Sequence, residues 1–125
     1  MAENWQTLAE DSYRATLLLR DRHCRSAVGR AYFAVYSRVA AMLTASGLLM
    51  RAGREGPSHA KLPALLETHL AHLGDRRWRA AGLVRKLYSM RLIADYQPSV
   101  IVNDGDVRNT LNMMMRAFHL LQEEP

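Results

Sequence analysis

Arg91, Asp95 and Tyr96 fall within six positions of one another, just ahead of Pro98. A guanidinium grips a phosphate through two parallel hydrogen bonds and stays charged at any physiological pH. A carboxylate four residues on can pair with it along a helix. A phenol beside them titrates at about 10, so it is a poor base at neutral pH. Two further residues belong with this group by type. Arg30 stands among alanines and tyrosines, and His59 follows Ser58 just before an apolar stretch. Imidazole titrates near neutrality and can move a proton there. The set suits holding an anion and shifting one proton. Arg91 and Tyr96 are the candidate catalytic residues; Arg30, His59 and Asp95 are the candidate binding residues. Each also has a plain structural role open to it. Arg91 and Asp95 can be an i, i+4 ion pair, and Tyr96 a packing anchor. Arg30 can be a buried arginine paired with a carboxylate, with Asp95 as its candidate partner. His59 can simply start a helix.

The elements that must position these residues read as helices. Val84, Leu87, Tyr88, Arg91 and Asp95 share one face at helical spacing, and Pro98 stops that helix near residues 94–96. Residues 4–22 suit a first helix, with Trp5, Leu8, Ser12, Ala15 or Thr16, and Leu19 at steps of three and four. Arg14, Arg20, Arg22 and Arg25 are expected on its wet face and at its exit. A second helix is expected over 26–46, with a stripe of Val28, Tyr32, Val35, Val39 and Met42. Ala27, Ala31, Ala34 and Ala41 lie beside that stripe and would let neighbours approach closely, as at the centre of a bundle. Gly47 is placed to end it in a left-handed turn. Residues 48–57 hold Gly53, Gly56 and Pro57 and read as a flexible connection. Ser58 is expected to cap a third helix of about fifteen residues carrying Leu62, Leu65, Leu66, His69 and Leu73. Gly74-Asp75 opens the helix that carries Trp78, Val84 and Leu87. Ser99 to Val102 is the one short strand-like alternation. Asn103 to Asp106 supplies a turn and an N-cap for a last helix with Val107, Leu111, Met114, Phe118 and Leu121 on one stripe. Met113 to Met115 point three ways, so one of them falls outside the core, where methionine suits a partner contact. The expectation is an all-α, up-and-down antiparallel bundle of four to five helices, a single domain spanning 1–125.

Composition sets the outer limits. The chain has 125 residues, 49% of them hydrophobic, enough for one core. It carries 17 basic residues against 12 acidic, for a net charge of +5. Of the basic residues only Lys61 and Lys86 are lysine; the remainder are arginine. That bias fits nucleic-acid binding and fits equally an arginine-rich codon usage. No apolar run reaches the roughly 20 residues that cross a bilayer. The first residues lack a basic region followed by an apolar core, so no secretion signal and no membrane partner are expected. The single cysteine, Cys24, excludes an internal disulfide and a cysteine-based zinc site within one chain, and suits a cytoplasmic setting. No phosphate loop, repeat or low-complexity tract is present, and no cofactor or metal is implied.

Two segments together resemble a known family. Ser26-Ala27-Val28-Gly29-Arg30-Ala31-Tyr32-Phe33-Ala34-Val35-Tyr36 is similar to the S-R-A-Y-Y-A helix of HEPN domains (higher eukaryotes and prokaryotes nucleotide-binding). Arg91-Leu92-Ile93-Ala94-Asp95-Tyr96 is similar to the R-x-x-A-D-Y motif of the small stand-alone prokaryotic branch, and Ser58-His59 to a Ser-His segment of that branch. The resemblance spans roughly residues 8–120. It implies a compact helical bundle, commonly a homodimer whose two motifs meet in a shared cleft. It further implies metal-independent ribonuclease chemistry in toxin–antitoxin, phage-defence or CRISPR-linked systems. There an arginine followed after four to six residues by a histidine binds the phosphate and handles the ribose 2′-hydroxyl proton. One toxin branch has a nucleotidyltransferase partner that modifies a tyrosine near the motif.

This chain departs from that pattern. Tyr96 stands five positions after Arg91, with Gln97 and Pro98 beyond it, and no histidine follows. Losing a general base removes about two to four powers of ten in rate. The expectation is therefore an RNA- or nucleotide-binding dimeric module. An active endoribonuclease toxin and a non-catalytic helical adaptor are the alternatives.

Overall fold

The computed structural model describes residues 4–48 and 56–122. Among them there are five α-helices and no strand: α1 (Trp5–Leu19), α2 (Cys24–Ala45), α3 (Leu62–His69), α4 (Arg76–Tyr96) and α5 (Asp104–Leu120). A single 3₁₀ turn, Ala71–Leu73, lies between α3 and α4. The expected all-α bundle is what forms. The flexible connection expected at 48–57 falls largely outside the described residues. No helix among the described residues is long and apolar enough to cross a membrane.

Local chemistry sets most of the helix ends. The Asn4 side chain accepts from the Thr7 amide at 2.9 Å and starts α1. Asn103 starts α5 within a reciprocal box, accepting from the Asp106 amide while the Asp106 carboxylate accepts from the Asn103 amide, both at 3.0 Å. Gly47, at φ +93°, takes the left-handed turn after α2. The third helix departs from expectation. It runs for eight residues, not fifteen, and Leu73 sits in the 3₁₀ turn instead. Ser58 contributes its carbonyl to the preceding turn, accepting from the Lys61 amide at 3.2 Å, and does not cap through its hydroxyl. Pro63, in the first turn, needs no amide partner there.

The core gathers on α2. Its buried face holds Val28, Tyr32, Val35, Val39 and Leu43, and it touches each of the other four helices. Ala27, Ala31 and Ala34 are also buried, and α1, which packs on α2, buries the small side chains of Ala9, Ser12 and Thr16. Thr16 satisfies its buried hydroxyl by donating to the Ser12 carbonyl at 2.8 Å. Small residues on both faces let the two backbones come close. Leu62 and Leu66 from α3, Val84 and Leu87 from α4, and Val107, Met114 and Ala117 from α5 close the remaining sides. Met115 is the exposed member of the methionine run. Residues 99–102 form no strand; Val100 and Ile101 face solvent.

Arg25 does not behave as a solvent-facing exit residue. It reaches from the start of α2 to the far end of α4 and donates to the Ile93, Ala94 and Gln97 carbonyls at 3.3, 3.0 and 3.2 Å. It also donates to the Pro98 and Val100 carbonyls. The last carbonyls of a helix have no partner within it, and a planar fork of donors satisfies several at once. Arg25→Ala is expected to cost about 1.5–3 kcal/mol in urea unfolding, the scale for hydrogen bonds from a charged donor. Arg25→Lys is expected to recover less than half, because an ammonium cannot span these acceptors; equal stability of Arg25→Ala and wild type would refute the clamp.

Candidate functional site

Arg91 sits one turn before the end of α4, and Asp95 one turn after it. The Arg91 Nε donates to Asp95 Oδ2 at 2.9 Å, a half-buried i, i+4 pair. Asp95 can lean over α2 because Gly29 faces it. A Cβ at Gly29 would lie 3.2 Å from Asp95 Oδ1, tighter than ordinary contact. Nε is the one Arg91 atom that hydrogen-bonds among the described residues, and its two terminal nitrogens have no partner among them. Its guanidinium carbon lies 5.8 Å from the Tyr32 ring centre and 5.6 Å from that of Tyr96.

Arg30 corrects the sequence expectation. It is exposed rather than buried, and it makes no ion pair among the described residues. It stands over Phe33 at 5.5 Å and donates to Ser12 Oγ at 3.5 Å. The reason is local: Asp95 is already within reach of Arg91 on its own helix, so the carboxylate proposed for Arg30 is taken.

His59 enters from the turn before α3 and is held by three tyrosines. Its Nδ1 lies 2.7 Å from the Tyr32 hydroxyl. Its ring stacks parallel to Tyr88 at 5.9 Å and packs against Tyr36 at 4.5 Å. Burial lowers its pKa from the ordinary value, and the Arg91 charge lowers it further, so the imidazole is neutral at pH 7. Burial raises the Tyr32 pKa far above the usual phenol range; Tyr36 and Tyr88 add to this, and Arg91 opposes it. The Tyr32 phenol therefore keeps its proton.

These groups share one concavity of about 640 Å³ between α2 and α4. Arg30, His59, Arg91 and Asp95 all line it, together with Gly29 and Tyr32. That volume is in the range of small-molecule sites, roughly 300–1,000 Å³. Tyr96 is 65% exposed at the end of α4 and does not line it. Sequence reasoning missed the tyrosine box. The signal was present, since Tyr32 and Tyr36 are one turn apart on α2 and Tyr88 lies three residues before Arg91, but nothing local ties them to His59. Among the described residues the cleft offers one guanidinium without an ion pair, a second with two terminal nitrogens unbonded, and a neutral imidazole. No family model matches the chain, and no curated protein or solved structure matches it.

The lowered His59 pKa fixes a sign. An unfolded histidine titrates at about 6.5. Between that value and the lower folded one, the unfolded chain binds more protons, so stability falls as pH drops through this window. Melting temperature is expected to fall more steeply between pH 7.5 and 5 for wild type than for His59→Gln. Parallel curves would show that His59 is not desolvated.

Proposed function

We propose that this chain is an HEPN-like module that binds RNA or a nucleotide in the cleft between α2 and α4. Arg91 and Arg30 take the phosphate. The observation that carries this reading is the convergence of Arg30, His59 and Arg91, from three separate segments, on one cleft of nucleotide size. Asp95 orients Arg91 through Nε and leaves its other two nitrogens for the ligand. The tyrosine rings supply apolar wall for a base or ribose. The resemblance to the R-x-x-A-D-Y branch supports the same ligand class, and with it a homodimer in a toxin–antitoxin or phage-defence setting. Tyr96, Val100 and Ile101, all exposed at the end of α4, favour a subunit contact beside the cleft. Exposure also leaves the Tyr96 hydroxyl open to a neighbouring-gene partner such as a nucleotidyltransferase antitoxin. Arg91→Ala is expected to weaken calorimetrically measured binding of a mononucleotide or short RNA about tenfold or more, since a charge-assisted hydrogen bond contributes about 1.5–3 kcal/mol. Wild-type affinity in that variant would remove the reading.

A second reading, metal-independent endoribonuclease, gains from one specific observation. A neutral histidine stands in the arginine cleft although none follows Arg91 in sequence. In the tautomer whose Nδ1–H donates to the Tyr32 oxygen, Nε2 can accept the ribose 2′-hydroxyl proton. The 2′-oxygen then attacks the adjacent phosphorus, the 5′-oxygen leaves and takes a proton from solvent, and a 2′,3′-cyclic phosphate remains. Cleavage of mixed RNA in EDTA is expected to fall at least about a hundredfold in His59→Ala. Cleavage at the wild-type rate in that variant would remove His59 from the chemistry.

A further inference from the structure

The first half of α4 presents a surface that the cleft does not use. Residues 76–94 include Arg76, Arg77, Arg79, Arg85, Lys86 and Arg91, and no aspartate or glutamate. Three of these cations stand in the first turn, where the helix dipole disfavours positive charge; the acid beside them is the N-cap Asp75, whose side chain makes no capping hydrogen bond. Folding explains some of them. Arg76 donates to the Leu73 and Gln122 carbonyls at 3.3 and 3.0 Å. Arg85 is held by both Glu67 oxygens, at 3.2 and 3.3 Å. Folding does not explain Arg79 and Lys86, which are exposed and pair with no carboxylate among the described residues.

An aromatic group stands beside them. Trp78 is 51% exposed. Arg77 lies over its ring at 4.7 Å and steadies it from one side. Gly82 completes the arrangement. Trp78 and Arg79 precede it by one helical turn, and Arg85 and Lys86 follow it by one, so these side chains ring a position that has none. A Cβ there would meet nothing within 4 Å, so packing does not require glycine. Glycine inside a helix is nonetheless unfavourable relative to alanine. The result is a shallow floor, a flat indole face and two unpaired cations about 10 Å apart along the helix axis.

We propose that this face of α4 is a track for single-stranded nucleic acid, with one base stacked on Trp78 and phosphates of the same strand held by Arg79 and Lys86. Charge complementarity calls for a polyanion. The indole selects among polyanions, because an unpaired base offers a flat face to stack on, whereas a duplex hides its base faces and an acidic peptide has none. Trp78 lies about 20 Å along α4 from Arg91. Thirteen residues also turn the helix by about 140°, so the track and the cleft lie on different faces of α4. The track does not rest on the RNA-binding reading of the cleft.

The test uses the full chain at low salt. Tryptophan emission and anisotropy are followed on titration with a twelve-residue oligouridylate, with a duplex RNA of the same length, and with uridine monophosphate, which is too small to span both sites. Trp5 packs on Tyr36 at 5.7 Å and supplies a constant background. The oligouridylate is expected to quench emission and to bind more tightly than the duplex. Trp78→Ala, Gly82→Leu and the Arg79→Ala/Lys86→Ala pair are each expected to weaken oligouridylate binding about tenfold. All three should leave uridine monophosphate affinity unchanged and should not lower stability to urea, and Gly82→Leu should raise it. If uridine monophosphate fails to bind while Trp78→Ala still weakens the oligomer, the cleft reading falls and the track stands. Wild-type oligomer affinity in Trp78→Ala, or duplex binding as tight as single-strand binding, overturns the track.

Discussion

Arg25 joins the beginning of α2 to the end of α4 through hydrogen bonds to main-chain carbonyls. The site depends on this contact. It brings the last turn of α4 against the first turns of α2, and only in that register does the Asp95 carboxylate meet the bare Cα of Gly29. Asp95 placed there fixes Arg91, and Arg91 then points across Tyr32. The apolar core packs the middle of the bundle, but it does not reach this end, where residues 95–101 are exposed. Polar chemistry therefore sets the geometry of the cleft rim, while burial sets that of its floor.

The floor shows how one cause acts on two groups. The burial that keeps Tyr32 protonated also keeps His59 neutral. A charged imidazole would sit beside Arg91 with part of its solvation removed, and a phenolate would sit among two other phenols. Both outcomes are disfavoured, so the pair rests in uncharged forms joined by a 2.7 Å hydrogen bond. The cleft consequently divides its work: permanent positive charge comes from the two arginines, and exchangeable protons come from the neutral pair.

Helical spacing made the bundle legible. The stripes on α2 and α5, the end of α4 before Pro98, the turn at Gly47 and the Asn103 cap all follow from local rules, and all are present. Arg91 with Asp95 was readable for the same reason, since four residues on a helix decide the contact. What escaped was non-local. Arg25 and its carbonyls are separated by about seventy positions, and no periodicity marks a guanidinium that binds backbone. His59 meets Tyr32 across 27 positions. Arg30 was expected to be buried because its neighbours are alanines, yet its long stem carries the charge out past Phe33. The third helix was overextended because Leu70 and Leu73 continue the apolar pattern after the backbone has left helical geometry.

The acceptors of the Arg25 clamp are peptide oxygens, which every amino acid carries. Substitution at 93, 94, 97, 98 or 100 therefore leaves the acceptors in place, whereas position 25 has no substitute for its donor fork. Such an asymmetry lets the segment bordering the cleft drift in side chain while its course stays constant. New specificities can be tried there at little structural risk, with one distant arginine as the fixed point.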